Sequence, residues 1–327
     1  MIGEDNKSIM SGLYIDVFNG DADGICSLIQ WRLAFPQKSQ LMTGVKRDIN
    51  LLAQIDSTIS AYIAVFDVSF NTNRQAVARL LDQGSSITYF DHHYAGDLIE
   101  HENLQLHINT SPTVCASLLV NGSLKNQWRG WAIVGAFGDN LSNSARQLAK
   151  DHYSDESIEK LQLMGQLINY NAYGETIEDL LISPQALYQQ LAVYPCPLLA
   201  WENEPSLFQA LKENYTQDLS LANQISKIQS SDKINIYEFP NQSWSRRVQG
   251  VFANQTLNQH PDQALVLLIK KEKGFMVSVR APQTHPFGAD TVCLQFDGGG
   301  RALAAGINCL AFSQKDHFIK AMHDEFC

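Results

Sequence analysis

The sequence has little positive charge, and this shortage excludes one class of partner. It contains 24 Lys and Arg against 34 Asp and Glu, so the net charge of the 327 residues is −10. Such a surface has no basic field along which a long nucleic acid would bind, whereas small or metal-bridged phosphates are compatible with it. We therefore expect no long duplex DNA among the partners.

Paired cysteines and long apolar runs are also missing. The six cysteines are scattered without a C-x-x-C pair, so neither a zinc ribbon nor a disulfide framework is indicated. No run approaches the roughly 20 apolar residues that span a bilayer, and residues 1–5 lack the basic and apolar parts of a signal peptide. We expect a cytoplasmic protein that makes no contact with a membrane.

The length predicts two domains, because 327 residues exceed one typical domain and 45% apolar residues supply a core to each. Short β-rich runs alternate with helical ones over 13–137, which is typical of βαβ units in a parallel sheet. The stretch 206–229 has no proline or glycine and predicts a long connecting helix. We therefore predict an α/β fold with an N-terminal parallel-sheet domain over 1–200, a connecting helix over 201–232 and a smaller α+β domain over 233–327.

Strands return in the C-terminal part of the sequence, together with further helices. The predicted strands are Ile234–Phe239, Arg247–Ala253, Ala264–Ile269 and Phe275–Arg280. Helices are predicted to start near Gly288 and to span Gln314–Phe326. This mixture of strands and helices is the basis for the α+β prediction.

Two carboxylates follow the first predicted strand, Leu13–Phe18. Asp21 and Asp23 share one tight loop, and Gly24 lets a ligand approach the backbone closely. Two carboxylates in this arrangement suit a hard cation such as Mn²⁺ or Mg²⁺. The alternative is a turn with a helix N-cap, where aspartate is favoured as well.

Further polar junctions follow short apolar runs at Asp67, Asp91-His92-His93 and Asp139. Taken one at a time, a helix cap or a structural imidazole accounts for each of them. Four acidic junctions on one sheet face would repel each other unless a cation held them together. Because ligands bind at the carboxyl ends of parallel strands, the sequence predicts a metal site at this edge of the sheet.

These junctions resemble the motifs of the DHH phosphoesterases, a family that includes RecJ-like exonucleases, oligoribonucleases, cyclic dinucleotide phosphodiesterases and exopolyphosphatases. The motifs occur in the family's order as Asp21-Ala22-Asp23-Gly24, Asp67, Asp91-His92-His93 and Gly138-Asp139. A stretch near the C-terminus is similar to the signature of the family's associated C-terminal domain: Gly298-Gly299-Gly300-Arg301 and Ala304-Ala305-Gly306. The resemblance therefore covers nearly the whole chain.

The resemblance implies two divalent ions, usually Mn²⁺ with Mg²⁺ as the alternative, which activate a water for attack on phosphorus. By this likeness Asp67 bridges the two ions and Asp21 holds the first. The second ion is held by Asp23, His92 and Asp139.

The resemblance also implies roles for residues beside the metal ligands. Asp91 orients His92, and His93 donates a hydrogen bond to the phosphate. The residues expected to act in catalysis are therefore Asp67, Asp91, His92 and His93.

Two positions depart from the family pattern. Val17 stands where many members have a histidine, and Asn19 stands where RecJ-like members have an additional aspartate. The first ion thus loses a protein ligand, since a neutral amide binds a cation less strongly than imidazole or carboxylate does. We therefore predict unequal sites, with a depleted first site and a tighter second site.

Glycines and arginines predict a phosphate-binding element in the C-terminal domain. The backbone N–H groups of Gly298, Gly299 and Gly300, with the side chain of Arg301, would surround a phosphate. Arg280, at the end of a predicted strand, is a second candidate clamp. The alternatives are a flexible hairpin for the glycines and solvated surface charges for the arginines.

Together these features predict a manganese-dependent phosphoesterase, a hydrolase that cleaves a small phosphorylated substrate between the two domains. The acidic composition favours a nucleotide, dinucleotide, short oligonucleotide or polyphosphate over long DNA. The alternative is a nucleotide-binding or regulatory protein with weakened catalysis on the same fold, which the lost metal ligand favours and the intact ligands disfavour. A homodimer is compatible with the sequence.

Overall fold

The computed structural model describes residues 12–56, 58, 60–230 and 232–327. The expectation about residues 1–5 therefore concerns a segment outside the described part of the chain. The chain divides into two compact units. The first unit ends at Ala172 and resumes over Ile182–Phe208, and the second unit consists of Tyr173–Leu181 and Gln209–Cys327.

A parallel sheet of five strands, in the order β2-β1-β3-β4-β5, forms the framework of the first unit. The strands are β1 (Leu13–Phe18), β2 (Gln40–Met42), β3 (Ala61–Phe66), β4 (Ser86–Asp91) and β5 (Leu104–Ile108). Phe18, Phe66 and Phe90 lie side by side in the register of β1, β3 and β4. The residues that follow these three strands therefore emerge at one edge of the sheet.

The helices of the first unit are α1 (Ala22–Ala34), α2 (Phe70–Asp82), α3 (Ala116–Ser123), α4 (Arg129–Gly138), α5 (Ser142–Ala149), α6 (Asp155–Ala172), α7 (Pro184–Leu191) and α8 (Pro197–Asn203). Several begin at residues that satisfy the free N–H groups of a first turn. Asp21 caps α1, Ser69 caps α2, and Ser183 caps α7 ahead of a proline in the first turn. Helix α9 (Pro205–Asn223) follows, and the division between the units falls within it.

Both faces of this parallel sheet are covered, as βαβ crossovers require. Val17 and Val65 belong to an apolar cluster on one face, which also contains Leu80 of α2. On the other face, Phe66 stacks on Phe90 with ring centroids 5.7 Å apart. Each fully buried side chain of this size contributes about 1.5–3 kcal/mol of transfer free energy.

The second unit contains a mixed sheet of six strands in the order β10-β11-β9-β8-β7-β6. The strands are β6 (Lys227–Ser230), β7 (Ile234–Phe239), β8 (Ala264–Lys270), β9 (Gly274–Arg280), β10 (Gly299–Arg301) and β11 (Ala304–Ala311). The helices are α10 (Ser243–Gln259), α11 (Ala289–Leu294) and α12 (Lys315–Phe326). Strands β7 and β8 pair in parallel because α10 connects them, whereas the other pairs are antiparallel.

Strand β8 is buried on both faces, which explains its unbroken apolar run. Val266 and Leu268 pack in a cluster with residues of α11 and α12, whereas Leu265 and Leu267 pack in a cluster with residues of α10. The predicted α/β fold with a smaller α+β part is confirmed.

Two predictions of secondary structure are wrong. Residues 247–253, predicted as a strand, lie within α10, because Val248 with Phe252, and Ala253 with Leu257, are spaced one helical turn apart and pack in the cluster on the sheet. The predicted connecting helix ends at Asn223 rather than near residue 229, and β6 follows it. None of the helices formed by the described residues combines the length and the apolarity that crossing a bilayer requires.

Candidate metal centre

The carboxyl edge of the parallel sheet brings the predicted polar junctions together. Asp67 directly follows β3 and Asp91 ends β4, and the Asp67 N–H donates to the Phe90 carbonyl oxygen at 3.0 Å. The φ of Asp67 is 56°, in the left-handed region that few residues other than glycine adopt. Backbone strain of this kind recurs at functional sites, where the surrounding structure holds it in place.

Asp67, His92 and His93 form the closest cluster of metal-binding groups among the described residues. Each can place one ligand atom within 4.8 Å of the other two. The Nε2 atom of His92 lies 3.3 Å from Asp67 Oδ1 and 3.7 Å from Asp139 Oδ2. The structure thus brings four of the predicted site residues to one place.

Asp67 is a buried carboxylate with an unsatisfied oxygen. Its Oδ1 accepts no hydrogen bond from any described residue, and the contact with His92 does not have hydrogen-bonding geometry. Burial raises the pKa of Asp67 well above its usual value, and the charges of Asp21, Asp23 and Asp139 raise it further. A divalent cation would satisfy this oxygen and remove the repulsion, and carboxylate with imidazole suits Mn²⁺. The residues present therefore fit a divalent ion beside Asp67.

Asp91 accepts hydrogen bonds from the backbone of both His92 and His93. Its Oδ1 accepts the backbone N–H groups of His92 and His93 at 2.8 and 3.0 Å, and its Oδ2 accepts the Phe70 N–H at 2.8 Å. The ring contact of Asp91 is with His93, whose Nδ1 lies 2.7 Å from Asp91 Oδ1. With His92 the Asp91 carboxylate makes the backbone contact alone among the described hydrogen bonds, and the role of Asp91 in orienting His92 stays a prediction.

The Asp91–His93 contact shifts the pKa of both groups. Burial raises the pKa of Asp91, but the His93 ring and the backbone N–H groups outweigh it, so the pKa is lowered. Burial lowers the pKa of His93, but Asp91 and the charge of Asp67 outweigh it, so the pKa is raised. Both directions favour a protonated His93 against an ionised Asp91.

The two carboxylates of the first loop are bound to protein donors. Asp21 Oδ1 accepts the N–H groups of Asp23 and Gly24 at 3.0 and 3.1 Å. Asp23 Oδ2 and Oδ1 accept the N–H groups of Ala116 and Ser117 at 2.7 and 2.8 Å. Asp21 is thus the N-cap of α1, which is the alternative that the sequence offered for it. Asp23 accepts the N–H groups of the first turn of α3. The roles of Asp21 and Asp23 as metal ligands stay predictions.

Lys46 is a member of the site that sequence reasoning missed. Its Nζ lies 2.5 Å from Asp21 Oδ2, 3.0 Å from Asn169 Oδ1 and 3.9 Å from Asp139 Oδ1. Burial raises the pKa of Asp21, but Lys46 outweighs it, so the pKa is lowered. Burial also raises the pKa of Asp139, which Lys46 and His92 offset only in part. Lys46 lies between β2 and β3, in a segment that contains no recognisable motif. The sequence showed only that metal ligands are missing at positions 17 and 19, and not which residue takes their place.

The predicted glycine motif lies in the second unit, on the exposed edge strand β10. Gly300 has a φ of 148°, and a Cβ there would lie 2.5 Å from Ala305 Cα. A Cβ at Gly298 would lie 2.5 Å from the Gly306 carbonyl oxygen. These glycines are therefore required by the close approach of β10 to β11, which agrees with a hairpin. A phosphate-binding role for Gly298, Gly299 and Gly300 stays a prediction.

The two predicted clamp arginines share one face of the second sheet. Arg301 pairs with Ala304, which pairs in turn with Arg280, so the three residues form one row across β10, β11 and β9. Arg280 Nη1 donates to Ser278 Oγ at 3.0 Å and to the Val279 carbonyl oxygen at 3.2 Å. No carboxylate of the described residues lies within salt-bridge distance of Arg280, and burial lowers its pKa. Arg280 is thus a partly buried cation, and the part of the chain that the structure describes gives it no acidic partner.

Comparison with known proteins gives matches at the level of structure. No protein-family model matches the sequence, and no curated protein matches it either. The chain is similar to a crystal structure of exonuclease RecJ bound to manganese, with a TM-score of 0.64 and 15% sequence identity over 95% of this chain and 89% of that chain.

Two further solved structures are similar over almost their full length. One is an exopolyphosphatase-related protein from Bacteroides fragilis, with a TM-score of 0.53 and 12% identity over 96% of this chain and 91% of that chain. The other is the pGpG-specific phosphodiesterase PggH from Vibrio cholerae, with a TM-score of 0.55 and 10% identity over 95% of this chain and 97% of that chain. The chain therefore has the fold of these RecJ-like proteins, and the resemblance noted in the sequence is confirmed at the level of the fold.

Proposed function

We propose that this protein is a metal-dependent phosphoesterase of the DHH type that hydrolyses a small phosphorylated substrate. The observation that carries the proposal is the buried carboxylate of Asp67, whose unsatisfied oxygen lies 3.3 Å from His92 Nε2 and 3.9 Å from His93 Nδ1, with Asp139 Oδ2 at 3.7 Å from the same His92 nitrogen. A group of this kind lowers stability in the free protein, so its presence favours a role in binding a cation. The similar structures include an exonuclease and a phosphodiesterase, which supports the same class of reaction.

In this proposal Asp67, His92 and Asp139 hold a divalent ion, with Mn²⁺ preferred and Mg²⁺ as the alternative. Such an ion, when bound, lowers the pKa of water and neutralises charge on phosphate oxygens. The contact with Asp91 holds the His93 ring in place and raises its pKa, which favours the form whose second ring nitrogen donates to a phosphate oxygen. Asp91 acts through His93 and through the backbone of the pair.

Arg280 and Arg301 of the second unit are candidate phosphate-binding groups. Arg280 is a guanidinium without a carboxylate partner among the described residues, and it shares a row with Arg301. Arginine binds phosphate through two parallel hydrogen bonds, and an unbalanced arginine loses no ion pair when it does so. The net charge of −10 favours a nucleotide, dinucleotide, short oligonucleotide or polyphosphate over long DNA. The cytoplasmic location and a homodimer stay predictions.

The test is hydrolysis of bis-p-nitrophenyl phosphate with and without Mn²⁺, by the full chain and by Asp67→Asn and His92→Ala. We expect turnover that requires the metal and is lost in both variants, while the exposed control Asp82→Asn keeps it. A panel of a linear dinucleotide, a cyclic dinucleotide, 3'-phosphoadenosine phosphate and polyphosphate then identifies the substrate class.

A regulatory protein with weakened catalysis is the second candidate. The observation that favours it is the absence of a metal-binding side chain at Val17, which is buried in the apolar core. The same assay separates the two. Folded, manganese-loaded protein that binds nucleotides but hydrolyses no member of the panel would identify the binder and contradict the enzyme.

A further inference from the structure

We infer that the ammonium group of Lys46 takes the place of one divalent ion, so that this protein binds one metal ion where the resemblance implies two. The inference rests on the proposed function, because it concerns the same site. It replaces the depleted first metal site with a permanent cation supplied by the chain.

The position of Lys46 is the first step. Its Nζ contacts oxygens of three residues, at 2.5 Å from Asp21, 3.0 Å from Asn169 and 3.9 Å from Asp139. Asp21 is the residue that the resemblance assigns to the first ion. An ammonium with three oxygens around it has the environment that the first ion would have, with one carboxylate already neutralised.

Lys46 is held in this position by its backbone. Its N–H donates to the Ala172 carbonyl oxygen at 3.0 Å, and its own carbonyl oxygen accepts the Asn19 side-chain N–H at 3.3 Å. The side chain is 24% exposed, so three quarters of it is enclosed by the site. Lys46 is therefore part of the built site and not a surface lysine that turns inward.

The ligands that a first ion would need are engaged elsewhere. Asn19 Oδ1 accepts the Asp21 N–H at 3.3 Å, and the other end of its side chain binds Lys46. Val17 packs in the apolar core and offers no ligand atom. Asp21 Oδ1 accepts two backbone N–H groups of α1, and its Oδ2 binds Lys46. Val17 thus offers no ligand atom, Asn19 is engaged in hydrogen bonds, and the Lys46 ammonium occupies the Asp21 oxygen that a first ion would use.

The groups around Asp67 differ from those around Asp21. Asp67 Oδ1 accepts no hydrogen bond from the described residues, His92 Nε2 lies 3.3 Å from it, and Asp139 Oδ2 lies 3.7 Å from the same nitrogen. One divalent ion is enough to satisfy these groups. A second divalent ion at Asp21 would lie against the Lys46 ammonium, and two cations in contact repel each other strongly in a partly buried site.

The experiment counts manganese in the full chain by calorimetry and elemental analysis, for the native protein and for Lys46→Met. We expect about one ion per chain in the native protein and about two in Lys46→Met at saturating Mn²⁺, since removing the ammonium frees Asp21. Electron paramagnetic resonance gives a second readout. The native protein shows uncoupled manganese, and Lys46→Met shows the coupled signal of an ion pair.

Two control variants keep the result interpretable. Lys46→Arg keeps the positive charge and retains one ion, and Lys150→Met removes an exposed lysine without changing the count. Two ions in the native protein, or one ion in folded Lys46→Met, would overturn the inference while leaving the proposed function intact. No manganese in any of the proteins would overturn both, so the two failures are distinguishable.

Discussion

The buried carboxylates Asp179 and Asp218 of the second unit have different partners from Asp67 of the first unit. In the second unit Asp179 lies 2.6 Å from Arg246 and Asp218 lies 2.8 Å from Arg247, so each is neutralised by a guanidinium. In the first unit Asp67 faces other carboxylates and two imidazoles, and one of its oxygens has no donor among the described residues. A buried charge with a complete set of partners stabilises the fold, whereas one without them is free to bind something else. The contrast separates structural charges from functional ones without reference to any relative.

The largest effect is expected at the unsatisfied carboxylate. Asp67→Asn should reduce metal-dependent hydrolysis more than about 100-fold, because even the partners that orient a metal ligand are worth about 10- to 100-fold. The same change should raise the melting temperature of the metal-free protein, since it removes repulsion among buried carboxylates. Calorimetric melting and steady-state kinetics measure the two effects. If the variant is active and less stable, Asp67 is a structural charge like Asp179, and the contrast between the two carboxylates fails.

The paired carboxylate of the second unit should behave in the opposite way. Asp179→Asn is expected to lower the free energy of unfolding by about 3 kcal/mol, because it leaves Arg246 buried with an incomplete partner. Chemical denaturation at neutral pH measures this loss. Lys160→Met, which breaks an exposed ion pair with Glu156, is the control and should not change stability measurably.

The Asp179 pair also predicts a dependence of stability on pH. Burial raises the pKa of Asp179, but the bonds from Arg246 and Ser243 outweigh it, so the pKa is lowered in the folded state. Such a group stabilises the fold fully above its unfolded pKa of about 3.9, and this contribution is lost as the pH falls through the folded value. The difference between native protein and Asp179→Asn should therefore be constant near neutral pH and shrink in acid. A difference that grows in acid would contradict the assignment.

A smaller effect is expected where a carboxylate acts through a histidine. Asp91→Asn should lower kcat about 10- to 100-fold, because it loosens the His93 ring and removes a charge that raises its pKa. The manganese count should stay the same, since Asp91 contacts only the backbone of His92. Circular dichroism checks that the variant folds, and loss of bound metal from folded protein would place Asp91 among the groups that hold the ion.

The smallest effect is expected at Arg280, the cation of the second unit that has no acidic partner among the described residues. Arg280→Met should raise KM about tenfold, which corresponds to one charge-assisted hydrogen bond of about 1.4 kcal/mol. Its stability should not fall, because no ion pair is broken. Unchanged KM with lower stability would assign Arg280 to the structural charges instead.

The sequence predicts the framework of the site better than its contacts. Strands β1, β3 and β4 are recognisable because each is a short apolar run that ends at a polar junction, and their common edge follows from parallel pairing. In α10, by contrast, the β-branched and aromatic residues Val248 and Phe252 favour a strand locally, and packing against the sheet outweighs that preference. The short strand β2 leaves too weak a pattern to detect.

The contacts of the site depend on residues far apart along the chain. Lys46 contacts Asp21, 25 positions away, and Asn169, 123 positions away. No local sequence pattern predicts either contact. The sequence could indicate that Val17 and Asn19 lack ligand character, but not which side chain replaces the ligand. Predicted ligands were therefore recognisable as residue types, whereas their actual hydrogen bonds required the fold.

The bond from Asp23 to the start of α3 has a consequence for how the chain folds. Helix α3 has only eight residues, and the side chain of its N-cap Cys115 accepts no capping hydrogen bond, so its first turn depends on a carboxylate 93 positions earlier. So short a helix is marginal alone in water. During synthesis the Asp23 carboxylate leaves the ribosome long before Ala116 does, and we expect α3 to become ordered only after β1 and α1 have assembled.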